Sequence, residues 1–195
     1  FKIKINKKIP NKSGLGGGSM NAANILCFLL KKKIIKISKT EIIKICYSVG
    51  SDVILGLNST NSVLNSKNEI KRFFNYDKIH TLIVKPNFGC STKKIYSKVK
   101  KFNKPKLNLP SKKVFSLNYL KKSQNSLEPI VLSKYPNLKK IKMDMENLSK
   151  NVFVRMTGSG SALVAYFHSK KLCNKAKKQF NEKYKNYWCI TAKTI

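Results

Sequence analysis

Four glycines stand directly before a helix-forming run in Gly14-Leu15-Gly16-Gly17-Gly18-Ser19-Met20-Asn21-Ala22-Ala23, and this stretch constrains the chain more than any other. Glycine reaches positive φ without a Cβ penalty and lets a ligand approach the backbone. The first turn of a helix leaves N–H groups unpaired, and the helix dipole adds partial positive charge there, so the combination makes an anion site. Met20, Ala23, Leu26, Leu29 and Leu30 recur at helical spacing and predict a helix over Ser19–Lys33. The Walker loop is excluded, because Gly18 is followed by Ser19-Met20 instead of Lys-Ser/Thr. The dinucleotide fingerprint read from Gly14 fails too, because Ser19 stands where a third Gly is needed. Alone, such a loop is equally a flexible connection before a surface helix. A second glycine turn, Met156-Thr157-Gly158-Ser159-Gly160-Ser161, favours the anion-binding reading.

The surrounding pattern predicts an α+β chain. Phe1-Lys2-Ile3-Lys4-Ile5 alternates apolar and charged residues as a half-buried strand does. Because it opens without Met, we expect part of the polypeptide to lie upstream. Ser38 and Glu41 form a capping box for a second helix, with Ile42, Ile45, Cys46 and Val49 as its apolar face and Gly50 as its stop. Strands are expected at Ser62–Asn68, His80–Val84, Val152–Met156, Ala162–Phe167 and Tyr187–Ala192. Helices are expected at Ser91–Lys101, in two or three pieces across Ser116–Leu148 broken near Pro129 and Pro136, and at Lys170–Tyr184. Lys67–Lys78 reads as a surface connection and Asn103–Pro110 as a linker. Strict strand–helix alternation is missing, so an α+β sandwich with an antiparallel sheet fits better than a doubly wound parallel one. A division into residues 1–77 and 78–195 follows from this order.

The formal net charge is +33 over 195 residues, which raises nucleic-acid binding as a function. Only Arg72 and Arg155 among the 41 basic residues are arginines, and the lysines are spread along the whole chain. Bidentate phosphate and base recognition favours Arg, so compositional bias explains the charge better than a specific nucleic-acid site. Five cysteines, an odd number without a CxxC pair, suggest neither a zinc site nor a disulfide framework. They fit small core residues in a reducing cytoplasm. The apolar runs are too short to span a bilayer, so no membrane partner is expected. His80 and His168 have no carboxylate or Cys partner at ligand spacing and read as structural.

Lys8-Ile9-Pro10 followed by Gly14-Leu15-Gly16-Gly17-Gly18-Ser19 and Asn21-Ala22-Ala23 resembles the ATP phosphate loop of the GHMP kinases. The triple glycine with Ser-x-Asn-Ala-Ala is similar to one branch, the diphosphocytidyl-methylerythritol kinases, where mevalonate and homoserine kinases more usually carry Gly-Leu-Gly-Ser-Ser. Gly50-Ser51-Asp52-Val53 resembles the segment with the catalytic aspartate, and Val84-Lys85-Pro86-Asn87-Phe88-Gly89-Cys90-Ser91-Thr92 the segment that opens the substrate-binding part. Arg155 to Ser161 resembles the third motif, and Asn125-Ser126-Leu127-Glu128 a shorter one. The family's first motif, with its lysine and nucleobase contacts, has no match. The resemblance therefore covers the last two-thirds of such an enzyme, and the 195 residues alone are expected to be inactive.

The resemblance implies a ribosomal-protein-S5-like first domain, here incomplete, and a ferredoxin-like α/β sandwich as the second. It implies ATP-dependent phosphorylation of the tertiary hydroxyl of diphosphocytidyl-methylerythritol in the non-mevalonate route to isoprenoid precursors, with ATP and Mg2+ as cofactors. Asp52 would accept or orient the hydroxyl proton; an ordinary turn residue is the alternative. Pro10, Gly14, Leu15, Gly16, Gly17, Gly18, Ser19 and Asn21 would hold the ATP phosphates, with Ser19 also able to join a magnesium shell. Thr92, Gly158, Ser159 and Gly160 would contact the cytidine substrate, and Tyr96 would stack on cytosine or fill a core. The expected partner is a small cytidine diphosphate substrate, with a monomer or weak homodimer as assembly. Another GHMP kinase acting on a small alcohol of mevalonate or homoserine type is the nearest alternative, although Val53, Ile54 and Leu55 give a carboxylate substrate no cation near Asp52.

Overall fold

The computed structural model describes residues 2–74, 78–101, 107, 110–148 and 150–195. Two compact units form: one from the described residues of Gly16–Tyr76 and Lys104–Phe115 with Ile195, the other from those of Phe1–Leu15, Asp77–Asn103 and Ser116–Thr194. The linker expected at Asn103–Pro110 lies outside the described residues apart from 107 and 110.

In the first of these units, helix α1 spans Gly17–Lys31 and α2 spans Lys39–Val49. The expected capping box forms: Ser38 Oγ accepts the Glu41 N–H at 3.2 Å, and the Ser38 N–H donates to the Glu41 carboxylate at 2.7 Å. Only Ile42 and Cys46 of the expected α2 face meet the core, whereas Ile45 and Val49 are exposed. The core instead recruits Tyr47, whose hydroxyl donates to the Asn68 carbonyl. A short 3₁₀ turn, Val53–Leu57, tucks Val53 and Ile54 against Ala23 and Leu26. A hairpin follows, β1 at Asn61–Leu64 and β2 at Ile70–Phe73, in antiparallel register with Asn61 opposite Phe73. Strand β2 falls where a surface connection was expected. Its Lys71 and Arg72 conceal it as a strand, and a local turn supports it: Asn65 Oδ1 accepts the N–H groups of Lys67 and Glu69.

The second unit is a four-stranded antiparallel sheet in the order β4-β5-β3-β6, with β3 at His80–Lys85, β4 at Phe153–Met156, β5 at Leu163–Phe167 and β6 at Trp188–Lys193. Between strands lie α3 (Thr92–Tyr96), α4 (Leu117–Lys122), α5 (Glu128–Lys134), α6 (Pro136–Glu146) and α7 (Lys170–Lys183). The sequence β-α-β-β-α-β with this strand order is the ferredoxin-like arrangement. Alternation along each strand sends Leu82, Val84, Val154, Met156, Leu163, Ala165 and Phe167 to one face, where Leu138, Ile141, Cys173 and Phe180 from the helices close the core. Pro129 and Pro136 occupy first-turn helix positions, where proline's missing N–H costs nothing.

Two expected elements change. Lys2–Ile5 forms no strand, and Ile3 and Ile5 are exposed: among the described residues no ladder partner lies beside it, and a lone extended segment leaves its backbone groups to water. The helix expected over Ser91–Lys101 ends at Tyr96, because Lys98 and Val99 turn back in tight i to i−3 bonds to Ile95 and Tyr96. Five free cysteines are present, three of them buried. Among the described residues no helix is long and apolar enough to cross a membrane.

Candidate functional site

Gly16 caps α1 in the left-handed region at φ 66°, a conformation glycine adopts without cost, and no side chain caps the first turn. The first intrahelical bond is Met20 N–H to the Gly16 carbonyl at 2.9 Å, so the preceding N–H groups are not used by the helix. No acidic residue stands in that turn to neutralise it. A Cβ built on Gly16 or Gly18 meets no atom within 4 Å, which leaves an open cradle that suits a phosphate chain. Ser19 and Asn21 sit partly buried within the first two turns.

Asp52 lies in the same unit as this helix start. It is exposed, heads the Val53–Leu57 turn, and its carboxylate makes no capping hydrogen bond. An ordinary turn aspartate bonds local backbone; among the described residues this one has no hydrogen-bond partner for its carboxylate. The turn beneath it is held firmly. Gly56 packs so closely on α1 that a Cβ there would come within 2.7 Å of Ala23 Cβ and 2.9 Å of the Met20 side chain. Arg72 donates to the Ile54 carbonyl at 2.9 Å and to Ser62 Oγ at 3.1 Å, tying the turn to the hairpin.

In the sheet-containing unit, the beginning of the glycine loop interlocks with the turn between β4 and β5. The Ala162 N–H donates to the Ser13 carbonyl at 2.9 Å, and Thr157 Oγ1 donates to the Gly14 carbonyl at 2.9 Å. Gly14 and Gly158 both have positive φ, and a Cβ on Gly14 would come within 2.3 Å of the Thr157 carbonyl oxygen. These two glycines are therefore required by backbone against backbone. Gly160 fits over Cys90, whose thiol is pushed up by burial, with Lys85 and Lys134 pulling the other way. Pro10 and Leu15 flank this segment, both partly buried.

Thr92 opens α3, and its hydroxyl meets Ser159 Oγ at 2.8 Å, joining the α3 start to the glycine turn. Asn125 Nδ2 donates to the carbonyls of Met156 and Gly158 at 2.9 and 2.8 Å, holding that turn from the other side. Glu128 accepts the Met156 N–H at 2.9 Å and pairs with Lys142 at 3.2 Å. Tyr96 is 52% exposed, so it is no core tyrosine; it borders an open cavity of about 520 Å3 together with Asn125, Arg155, Thr157, Gly158 and Tyr166. Burial pushes the Tyr166 phenol up, against the pull of Arg155. Arg155 is spent on the structure: it lies 4.7 Å over the Phe153 ring and donates to the Leu120 carbonyl at 2.6 Å.

Thus Pro10, Gly14 and Leu15 share a unit with Thr92, Tyr96, Gly158, Ser159 and Gly160, while Gly16 to Ser19, Asn21 and Asp52 share the other. Ser13, Thr157 and Asn125 join the site through backbone contacts. Thr157 and Asn125 stood in segments the sequence had already singled out, and Asn125 also accepts the Leu127 N–H at 3.0 Å as an Asx turn does, whereas Ser13 carried no local signal.

Residues 1–63 match the family described as GHMP kinases N terminal domain. Over its full length the chain is 54% identical to the 4-diphosphocytidyl-2-C-methyl-D-erythritol kinase of Pelagibacter ubique, of which it spans 69%. Over 84% of its length it is 35% identical to the kinase of the same name from Petrotoga mobilis, of which it spans 66%. A crystal structure of 4-(cytidine 5'-diphospho)-2C-methyl-D-erythritol kinase superposes on 95% of the chain with a TM-score of 0.74 at 23% identity, and covers the chain against 68% of its own length. A homoserine kinase from Cytophaga hutchinsonii superposes on 97% with a TM-score of 0.66 at 14% identity, so both share the fold. With a glycine cradle, an uncommitted aspartate and a relative at this identity over every residue, the chain belongs to the 4-diphosphocytidyl-2-C-methyl-D-erythritol kinase family of GHMP kinases.

Proposed function

We propose that this chain carries the phosphate loop, the catalytic aspartate and the acceptor-side elements of an ATP-dependent kinase that phosphorylates the tertiary hydroxyl of 4-diphosphocytidyl-2-C-methyl-D-erythritol. Phosphoryl transfer asks a protein mainly for positioning and charge neutralisation. ATP would supply the phosphoryl group, and a magnesium ion beside the Ser19 hydroxyl would supply charge neutralisation. The N–H groups of Gly17, Gly18 and Ser19 donate to phosphate oxygens, and the Ser19 hydroxyl serves the phosphate or the magnesium shell. Gly14 and Leu15 keep the loop in register, Pro10 stiffens the chain before it, and Asn21 lines the second turn. Asp52 orients the acceptor hydroxyl and takes its proton. Thr92 with Gly158, Ser159 and Gly160 borders the acceptor, and the exposed face of Tyr96 stacks on cytosine.

In this reading residues 1–77 belong to the ATP-binding part and 78–195 to the acceptor part, in a monomer or weak homodimer. Free cysteines and bacterial relatives support a cytoplasmic setting. The observation that carries the proposal is the pairing of an open glycine cradle on α1 with an aspartate that does no local work. Asp52→Asn keeps the shape and removes the base. We expect turnover in the full polypeptide to fall by about two to four decades with ATP affinity unchanged. Near-normal turnover would reduce Asp52 to a turn residue.

A further inference from the structure

Lys85, the last residue of β3, is 7% exposed, unusual for a lysine. It forms no salt bridge among the described residues. Its Nζ instead donates to two backbone carbonyls, Pro86 at 2.7 Å and Phe88 at 2.9 Å. Burial pushes the ammonium below the usual lysine range, with Cys90 pulling the other way, so the fold pays to keep a charged group here. A hydrophobic residue would fill the same volume on the sheet without that desolvation cost.

The reward lies in the turn it organises. The Phe88 carbonyl accepts a second bond, from Ser161 Oγ at 2.7 Å, so both of its lone pairs are used. Ser161 is fully buried and belongs to the glycine turn. Next in the chain, Gly89 packs so tightly on Lys12 that a Cβ would approach the Lys12 Cβ to 2.5 Å. Ser91 then caps α3, and Thr92 meets Ser159 at 2.8 Å. A single carbonyl thus receives one donor from the end of β3 and one from the turn after β4, four residues before Thr92.

We infer that Lys85 is a positioning residue for the acceptor side: with Ser161 it fixes the Phe88 carbonyl, and through it sets Thr92 and Tyr96 at the start of α3. Charge makes the donor strong and hard to replace, since hydrogen bonds from an ammonium exceed those from neutral groups. The role rests on the kinase reading above, because Thr92 and Tyr96 matter through the acceptor they border.

Three variants of the full polypeptide test it: Lys85→Met, which keeps volume and loses the donor, Lys85→Arg, which keeps a charged donor, and Ser161→Ala, which removes the second donor. For Lys85→Met we expect the KM for the cytidine substrate to rise about tenfold or more, the KM for ATP to stay within about twofold, and the melting temperature to hold within about 3 °C, since a costly buried charge leaves along with its bonds. Ser161→Ala should move the same KM in the same direction, and Lys85→Arg should restore at least part of it. Amide exchange in residues 87–92 should quicken in Lys85→Met, a readout independent of turnover. An unchanged acceptor KM with unchanged exchange overturns the inference, as does an equal rise in both KM values. A wild-type chain without kinase activity, whose 87–92 amides still depend on Lys85, would instead fault the kinase reading and leave the organising role of Lys85 standing.

Discussion

Two kinds of glycine stand side by side in one loop, and they answer to different physics. Gly14 is held by protein: its φ is positive and a Cβ would run into the Thr157 carbonyl at 2.3 Å. Gly18 has ordinary helical surroundings, and a Cβ there meets nothing within 4 Å. A residue that the fold does not require to be glycine is best explained by a ligand that must come close. Gly18→Ala separates the two, since alanine favours the helix. We expect its melting temperature to stay level or rise while ATP affinity, measured by calorimetry, falls about tenfold, or about 1.4 kcal/mol. Equal ATP affinity would remove the phosphate chain from that face of α1. The run of glycines was plain in the sequence, because four of them stand directly before a helix-forming run. Which of them serves packing was not, since that depends on Thr157, more than a hundred residues away. Lys85 was hidden for a similar reason: it is one lysine in a lysine-rich chain, and only its carbonyl partners distinguish it.

Among elements, α6 and α7 are joined by a small polar cluster. Asp144 accepts from Lys183 Nζ at 2.8 Å and from the Tyr184 hydroxyl in a short bond. Tyr184 stacks between Phe180 at 4.7 Å and Tyr187 at 5.1 Å. Its phenol is pushed well up, first by burial and then by the bond to the Asp144 carboxylate. Those same bonds, Lys183 first, hold Asp144 below its ordinary value of 3.8. A carboxylate lowered in the folded state binds fewer protons there than in the unfolded chain, so its stabilisation is complete above that ordinary value. It is lost as pH falls further, through the lowered folded value. Asp144→Asn should therefore melt a few degrees below wild type at neutral pH, with the gap narrowing as the pH is taken from neutral to below the ordinary value of 3.8. A gap that stays constant across that range would mean packing, not charge, holds the two helices. Elements with strong periodicity, such as β5 and α7, were legible. Strand β2 was not, because Lys71 and Arg72 suppress its apolar signal and its support comes from the Asn65 turn. Tyr96 marks the other failure: helical spacing continues past it, but the chain tightens into i to i−3 turns there.

At the scale of the whole molecule the largest number is the net charge of +33, carried by 41 basic against 8 acidic residues. A field of that sign attracts any polyanion, and its strength says nothing about specificity. What separates a nucleic-acid reader from a lysine-rich enzyme is the arrangement of donors. Base-edge and bidentate phosphate recognition draw on the arginine fork, and both arginines of this chain are committed to its own backbone, Arg72 at Ile54 and Arg155 at Leu120. Lysines scattered along a chain act as point charges, screened over about 10 Å at 0.1 M salt. Binding of duplex DNA should therefore be measurable at low salt, equal for two unrelated sequences, and should fall linearly in a plot of log affinity against log salt. Between about 50 mM and about 200 mM salt we expect it to drop by about three decades or more, while ATP affinity changes far less, since in the proposed reading the glycine cradle would hold phosphate through oriented N–H groups at short range. Fluorescence anisotropy with two labelled duplexes over a salt series measures the first quantity and calorimetry the second. A duplex preference above about tenfold, or binding that persists at about 300 mM salt, would require contacts of a kind that lysine point charges do not make, and would give this chain a nucleic-acid partner beside its small-molecule chemistry.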